Sequence, residues 1–338
     1  MPDLKSNLSI DMQWFLGYLN GERDDAGYNE FALKRGYVNI KKKINDTFSG
    51  RITTDITQDK EGDGMGDIEM RLKYLYLKHQ LRSWGMFHKP YLEYGLVHRP
   101  WIDFEESINV YRVQGTMFLE RNNVINSGDY GVVFITLLGE EMDEEYRENV
   151  NSSFAGTWGS FSVGVFNGGG YHALEFNENK TVESRLTIRP LHRAIPGLQF
   201  TWHGAIGKGN IPESPDWNFN SGFVSYEAPH WVLTGEYYAG LGNFKGTAIK
   251  DAISFKSVPQ NGFSLFGEYK VLHTRMSMLG RYDKFVQEFD QGDVTNERSI
   301  AGFSFHFTHQ SKIVIDYDHM KQGDSTSHVF EVVIELKY

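Results

Sequence analysis

The last residues of the chain alternate between apolar and polar side chains. Every second position of residues 328–338 is apolar: Phe330, Val332, Ile334, Leu336 and Tyr338. Charged residues occupy most of the positions between them. Successive side chains of a β-strand point to opposite faces, so this spacing predicts a strand with one apolar and one largely polar face. The same alternation recurs at residues 8–18, 198–206, 263–270, 301–308 and 312–320.

About 16 such segments are found, each roughly as long as a tilted strand that crosses a bilayer. They begin near residues 7, 30, 47, 68, 85, 130, 157, 181, 197, 217, 230, 261, 275, 298, 311 and 328. Short connections at 44–47, 228–230 and 308–311 alternate with longer polar ones at 21–27, 58–67, 168–180, 242–260 and 288–296. This order predicts an all-β protein: a transmembrane antiparallel β-barrel of about 16 strands, formed by residues 1–338 as one domain. Residues 139–150 depart from the order, because they form a long connection where a short one is expected.

Alternation alone does not say which face meets which solvent. A closed barrel of about 16 strands is too wide for its own side chains to fill, so we expect the apolar face to point outward and the polar face inward to water. Aromatic residues near strand ends are then expected to form girdles: Trp14, Tyr18, Trp202, Trp217, Trp231 and Tyr338. The alternative is a soluble β-propeller or multi-sheet protein, but no repeat of fixed period is visible.

Composition excludes several other classes. The chain has no Cys, which rules out disulfides and thiol metal sites, and its formal net charge of −10 disfavours nucleic-acid binding. No apolar run is long enough for a transmembrane helix, and the first residues do not resemble a signal peptide. No catalytic, haem-attachment or phosphate-binding motif is present, so we expect neither an enzyme nor a cofactor. Residues 59–70 approach the pattern of a calcium loop but end in Met70 instead of Glu, so a solvated acidic loop is the preferred interpretation and no metal site is predicted.

Several stretches, in this order, carry a resemblance to a known family. They are LEYGLVHRPWIDFEESINVYR at 92–112, Asn167-Gly168, ESRLTIRP at 183–190, GFSLFGEYKVL at 262–272 and LGRYDKF at 279–285. The sequence resembles the phosphate-selective porins of the O and P type. The resemblance implies a 16-stranded outer-membrane barrel, usually a trimer, whose third loop folds into the lumen. The terminal aromatic Tyr338 resembles the signal read by the barrel-assembly machinery.

The candidate constriction loop is residues 98–129. Its charged residues include Arg99, Asp103, Glu105, Glu106, Arg112 and Arg121, with Glu120 and Asp129 making it slightly acidic. Because the family's anion pores are rich in Arg and Lys at this point, the resemblance extends to fold and pore role and not to substrate. Period-two spacing places six basic residues on the lumen wall: Arg51, Arg71, Lys73, Arg185, Arg189 and Arg281. A basic wall opposite an acidic loop would create a transverse field that orients polar solutes.

The sequence therefore predicts a porin in the bacterial outer membrane that lets ions and small hydrophilic solutes, among them anions such as phosphate, diffuse passively. Expected partners are membrane lipid and lipopolysaccharide, two further copies of the chain and the barrel-assembly machinery. Two alternatives remain open. One is a non-transporting barrel that acts as an adhesin or scaffold. The other is a sheath around an electron-transfer cytochrome, which would need a separate haem protein.

Overall fold

The computed structural model describes residues 7–24, 26–59, 64–308 and 310–338. These residues form a closed barrel of sixteen antiparallel strands, in which each strand pairs with the next and the last pairs with the first. The strands are β1 (Leu8–Arg23), β2 (Ala26–Lys43), β3 (Phe48–Gln58), β4 (Ile68–Gln80), β5 (Phe87–His98), β6 (Gly128–Leu138), β7 (Gly159–Phe166), β8 (Thr181–Ile188), β9 (Leu198–Lys208), β10 (Asp216–Ala228), β11 (Trp231–Leu241), β12 (Pro259–Lys270), β13 (Met276–Phe289), β14 (Gly292–His306), β15 (Lys312–Gln322) and β16 (Ser325–Lys337). The predicted fold class is confirmed.

The outer surface of the barrel is apolar around its whole circumference. On β16, Phe330 and Ile334 face outward and are exposed, whereas Glu331 and Glu335 point inward and are buried. Exposed apolar side chains continue on the other strands, for example Leu16, Val182, Leu265, Phe303 and Ile315. A continuous apolar belt of this size is typical of a surface that contacts lipid rather than water. No helix in the described ranges is long and apolar enough to cross a membrane.

The two rims of the barrel are built differently. We call the rim that carries the β5–β6 connection the upper rim, and the rim where β1 begins and β16 ends the lower rim. Two long connections predicted for the upper rim, 21–27 and 288–296, are wrong: β1 continues to Arg23, and Phe289 of β13 pairs with Gly292 of β14. The polar residues there remain in the sheet because strands that extend beyond the apolar belt no longer need an apolar outer face.

The β6–β7 connection on the lower rim is long, as the sequence indicated, and is folded. It contains a short helix, Glu144–Asn149, whose N-cap Asp143 accepts a hydrogen bond from the Tyr146 backbone N–H. After this helix the chain turns inward, and the Asn151 side chain donates hydrogen bonds to the Ser107 carbonyl at 2.9 Å and to Glu227 at 2.8 Å. The connection therefore supports a segment inside the barrel from below.

That inner segment is the β5–β6 connection, residues 99–127, which we call loop L3. It contains two short helices, Ile102–Ile108 and Phe118–Arg121, and a 3₁₀ turn at Arg112–Gln114. Residues of loop L3 contact several strands of the inner wall. The Tyr111 hydroxyl lies 2.6 Å from Glu268 on β12 and 2.8 Å from Ser304 on β14. Loop L3 thus lies inside the barrel against the wall formed by its later strands.

Apolar packing holds loop L3 to this wall. Buried loop residues contribute one side: Trp101, Phe104, Ile108, Val113, Met117 and Phe118. Inward-facing wall residues contribute the other: Trp217, Phe219, Phe223, Tyr238, Phe266 and Phe285. The expectation of a uniformly polar inner face is therefore wrong for β10–β13, and Trp217 belongs to this inner core and not to an outer girdle. The reason is that an inward loop can cover apolar wall residues that water would otherwise contact.

A buried ion pair fixes the start of loop L3. Arg99 lies 2.5 Å from Glu183 on β8 and 3.6 Å from Asp129, and its guanidinium stacks over the Trp217 ring at 4.8 Å. Glu183 also bonds His203 at 2.9 Å, and the His203 ring stacks on Trp101 at 4.7 Å. Glu183 therefore holds both neighbours of Pro100: Arg99 through the ion pair and Trp101 through the stacked His203 ring.

Replacing Glu183 by Gln tests this anchor. The change leaves the buried Arg99 charge with only the more distant Asp129, and breaking a buried pair costs about 3–5 kcal/mol. We expect the free energy of unfolding, measured by urea titration of the barrel in detergent, to fall by about that amount. Glu297→Gln is the control, because it removes an exposed pair with Lys284 at 3.1 Å and should cost about 0–1 kcal/mol. Equal losses in the two variants would contradict the anchoring role.

Candidate functional site: a passage beside loop L3

Loop L3 leaves a cavity of about 650 Å³ on the opposite side of the barrel. Its wall is formed by inward residues of β1–β4, β15 and β16: Asp11, Gln13, Tyr37, Asn39, Lys41, Arg51, Thr53, Lys73, Tyr74, Lys312, Glu335 and Lys337. Its other side is loop L3, through Asp103, Glu106 and Arg112, with Ser153 and Phe154 of the β6–β7 connection below. We call this space the lower cavity. Polar and charged groups dominate it, in contrast to the apolar core on the other side of the loop.

Two further cavities open toward the upper rim. One, of about 530 Å³, lies between Arg121 of loop L3, the β11–β12 connection and β13–β14. The other, of about 640 Å³, lies against β1, β2 and β14–β16. Arg298 and Met320 line both, so the two spaces adjoin. Arg298 is held by Asp318 through a bidentate ion pair.

Between the upper and lower cavities lies a level of inward-facing charged side chains, which we call the constriction. Along β2, Tyr28 lines an upper cavity and Tyr37 the lower one, with Lys34 and Arg35 between them. Lys34 lies 2.5 Å from Glu331, and Arg35 lies 2.7 Å from Asp55. From the loop side, the Gln114 amide donates to Asp316 at 3.1 Å. This constriction therefore carries both signs of charge, arranged in pairs.

Two β-bulges bring extra basic residues into the lumen. In the β1–β2 pairing Phe15 lies opposite Arg35 and Leu16 opposite Leu33, so Lys34 is the additional residue. In the β3–β4 pairing Lys73 is additional in the same way, between Leu72 and Tyr74. A bulge lets two consecutive side chains share one face. Strict period-two counting finds Lys73 but misses Lys34, Arg35 and Tyr74; the adjacent polar pair Lys34-Arg35 within an alternating strand is the signal that could have shown the bulge.

The residues predicted for the constriction loop have different surroundings. Asp103, Glu106 and Arg112 line the lower cavity, and Arg112 lies 2.8 Å from Glu106. Arg121 lines an upper cavity and pairs with Asp283 at 2.9 Å. Arg99 is enclosed in the anchor behind the loop, away from all of these cavities.

Glu105 is also enclosed, on the face of loop L3 that is turned away from the lower cavity. It is 5% exposed, and burial raises the pKa of its carboxyl to about 7, a shift that the nearby Arg281 opposes. Near neutral pH a large fraction of Glu105 is therefore uncharged. Its position and its protonation both remove it from the set of charges that a solute in the passage would meet.

The predicted basic wall divides into two groups. Arg51 and Lys73 line the lower cavity, and Arg71 lies near the constriction, 3.9 Å from Asp55. The other three are covered. Arg185 is fully buried and donates a hydrogen bond to the Pro100 carbonyl at 2.9 Å. Arg185 therefore supports the start of loop L3 and does not line open space in the lumen.

Arg189 and Arg281 are the other two covered residues. Arg189 donates to the Tyr146 hydroxyl of the β6–β7 connection at 2.8 Å. Arg281 bonds Asp283 at 2.9 Å and the Thr116 carbonyl of loop L3 at 3.4 Å. All three covered arginines point inward as the alternation indicated, but loop L3 or the lower connection separates them from the passage.

Metal-binding groups are not assembled in the part of the chain that the structure describes: no three His, Asp or Glu side chains there come close enough to hold an ion. Of the calcium-like stretch 59–70, Glu61 and Asp63 lie outside the described residues. The Asp59 backbone N–H bonds the Asp67 carbonyl at 2.8 Å, which closes the β3–β4 connection.

Comparison with solved structures shows which proteins share this architecture. OmpT of Vibrio cholerae, in vitro folded and in its trimer form, matches with a TM-score of 0.63 and 12% identity over 98% of this chain and 100% of its own. OmpF of Salmonella typhi in complex with daunomycin matches with a TM-score of 0.62 and 12% identity over 98% of both chains. The anion-selective porin of Comamonas acidovorans matches with a TM-score of 0.61 and 10% identity over 98% of this chain and all of its own. No protein-family model and no curated protein matches the sequence. At these identities the likeness shows the fold: the chain has the sixteen-stranded barrel architecture of outer-membrane porins.

Proposed function

We propose that the chain is an outer-membrane porin through which ions and small hydrophilic solutes diffuse passively. The observation that carries the proposal is the series of charged cavities beside loop L3, two toward the upper rim and one below, with a level of paired charges between them. An apolar belt outside and a polar passage inside are the two surfaces that a water-filled pore in a bilayer needs. OmpF and the anion-selective porin of Comamonas acidovorans, which share the fold, support the same function.

The passage runs off the barrel axis. On one side stand Lys34, Arg35, Arg51 and Lys73 of β2–β4, and on the other the acidic face of loop L3. Charges of opposite sign across a narrow space create a transverse field, which orients a dipolar solute as it enters. The predicted basic wall and acidic loop thus remain part of the proposal, with Lys34 and Arg35 in place of Arg185 and Arg189.

The charge count of the lower cavity favours anions weakly. Six basic residues line it among those described, Lys41, Arg51, Lys73, Arg112, Lys312 and Lys337, against four acidic ones, Asp11, Asp103, Glu106 and Glu335. Inorganic anions such as phosphate would pass on this account without a dedicated cluster of cations. Three of the four carboxylates are paired with Lys41, Arg112 and Lys312, so the preference for anions depends on the remaining cations.

Partners follow from the surfaces of the barrel. Lys284, Glu288 and Glu297 project outward above the apolar belt, where lipopolysaccharide headgroups would meet them. We expect a homotrimer, as OmpT of Vibrio cholerae has a trimer form. We also expect assembly by the outer-membrane barrel machinery, since β16 must pair with β1 to close the barrel. A single domain spanning residues 1–338 is part of the same proposal.

Planar-bilayer recording tests the function. Purified protein added to a lipid bilayer should give stepwise ionic currents, in groups of three if the trimer is intact. Under a KCl gradient the reversal potential should be displaced slightly toward the equilibrium potential of chloride. Well-folded, inserted protein that passes no current would refute the porin proposal. It would favour the non-transporting scaffold, with loop L3 acting as a plug.

The charge of loop L3 gives a second test. Glu106→Gln removes one negative charge from the lower cavity and leaves Arg112 paired only with Glu120, at 3.9 Å, so the reversal potential should move further toward the equilibrium potential of chloride. Glu144→Gln, on the exposed helix of the β6–β7 connection, is the control and should leave it unchanged. An equal response of both variants would show that selectivity is not set in the lower cavity.

A further inference from the structure

Lys73 is a buried cation that no carboxylate of the described residues contacts at ion-pair distance; Glu106 and Glu120 act on it only from farther away. Its side chain lines the lower cavity, and the residue is only 6% exposed. Its ammonium group lies over the Tyr37 ring at 4.7 Å and the Tyr74 ring at 5.5 Å, and no described residue forms a hydrogen bond or an ion pair with it. Buried charges are normally paired, because desolvation without a partner is costly. An ammonium that reaches a cavity without an anion is therefore available to one that arrives in solution.

A second cation stands beside it. The Arg51 guanidinium lies 5.1 Å from the centroid of the same Tyr74 ring, so both cations converge on that ring. Arg51 bonds Asn39 at 2.8 Å and His98 at 3.1 Å and pairs with no carboxylate among the described residues. The β-bulge that turns both Lys73 and Tyr74 inward creates this arrangement.

Asp103 is the corresponding anion on the loop side of the cavity. Its side chain is 54% exposed, forms no hydrogen bond with a described residue, and approaches only the His98 ring, at 3.9 Å. The three other carboxylates of the cavity are each paired: Asp11 with Lys41 at 2.9 Å, Glu106 with Arg112 at 2.8 Å and Glu335 with Lys312 at 2.9 Å. Among the carboxylates that line this cavity in the described chain, Asp103 has no ion pair with Lys or Arg, and among its cations Arg51, Lys73 and Lys337 have no carboxylate within ion-pair distance. Lys73 with Arg51 forms the cationic end of the cavity, and Asp103 forms the anionic end.

We propose that the lower cavity binds small zwitterions, namely α-amino acids and short peptides. The solute's carboxylate binds Lys73 beside Arg51, and its ammonium group binds Asp103. A dianion such as phosphate would meet the repulsion of Asp103 and Glu106, and a simple cation that of Lys73, so a solute with one charge of each sign satisfies both ends. The inference rests on the proposed porin function and specifies the solute class of its lower cavity.

Three probes of similar size separate the two ends: glycine, N-acetylglycine, which lacks the ammonium, and glycinamide, which lacks the carboxylate. Their entry into proteoliposomes is measured against concentration at neutral pH. Glycine flux should saturate at a lower concentration than either analogue. Lys73→Gln should raise the half-saturating concentration about tenfold for glycine and N-acetylglycine but not for glycinamide, as expected for loss of one charge-assisted hydrogen bond. Asp103→Asn should do so for glycine and glycinamide only.

Lys284→Gln is the control, because Lys284 projects outward from β13 and pairs with Glu297 at 3.1 Å, away from the lower cavity. It should leave all three fluxes unchanged. Flux that is linear in concentration for all probes would overturn the site while leaving the porin function intact. Saturation of N-acetylglycine as tight as that of glycine, with no response to Asp103→Asn, would reduce the site to an anion site and overturn the zwitterion proposal. Absence of any flux would instead refute the porin function itself.

Discussion

A barrel of sixteen strands encloses more space than its own wall side chains can fill, and loop L3 occupies one side of that space. The loop is held there by apolar contacts with β10–β13 and by the Arg99–Glu183 pair, so its packing follows the rules of a protein core, although it lies inside a pore-like fold. The passage is what remains on the other side. It lies beside β1–β4 and β16 because the apolar inner wall, against which loop L3 packs, is formed by β10–β13.

The same asymmetry separates two populations of inward-facing charge. Arg99, Arg185 and Arg281 are enclosed by loop L3 and hold it in place, whereas Arg51 and Lys73 line the lower cavity. Charges of the first group stabilise the position of loop L3. On the proposed porin function, those of the second group act on the solutes that pass. The Asn151 contact with the Ser107 carbonyl adds a support from the lower rim, which limits how far the loop can move into the passage.

The barrel, its strand number and the inward direction of most charges follow from the sequence, because the alternation in β16 and β15 leaves one apolar and one polar face. The sequence does not predict which side of the lumen is covered by loop L3. Trp217 and Phe223 alternate with their neighbours in the same way whether the inward face of the strand contacts water or a loop. The bulges at Lys34 and Lys73 also interrupt the two-residue period, so the face of the neighbouring residues cannot be counted along the strand. Long polar ends of strands, as in β1 and β13, have the composition of loops, so the sequence predicts loops where the structure has strands.

Thiol accessibility is the most direct measurement of whether the passage lies on one side of loop L3. The chain has no Cys, so a single introduced thiol reports alone. Gln13→Cys lies on the wall of the lower cavity, and Ser162→Cys faces inward from β7 but is covered. A charged methanethiosulfonate reagent should lower the conductance of Gln13→Cys quickly and leave Ser162→Cys unmodified until the protein is denatured. Equally fast modification of both, with similar loss of conductance, would contradict a lumen that loop L3 fills on one side.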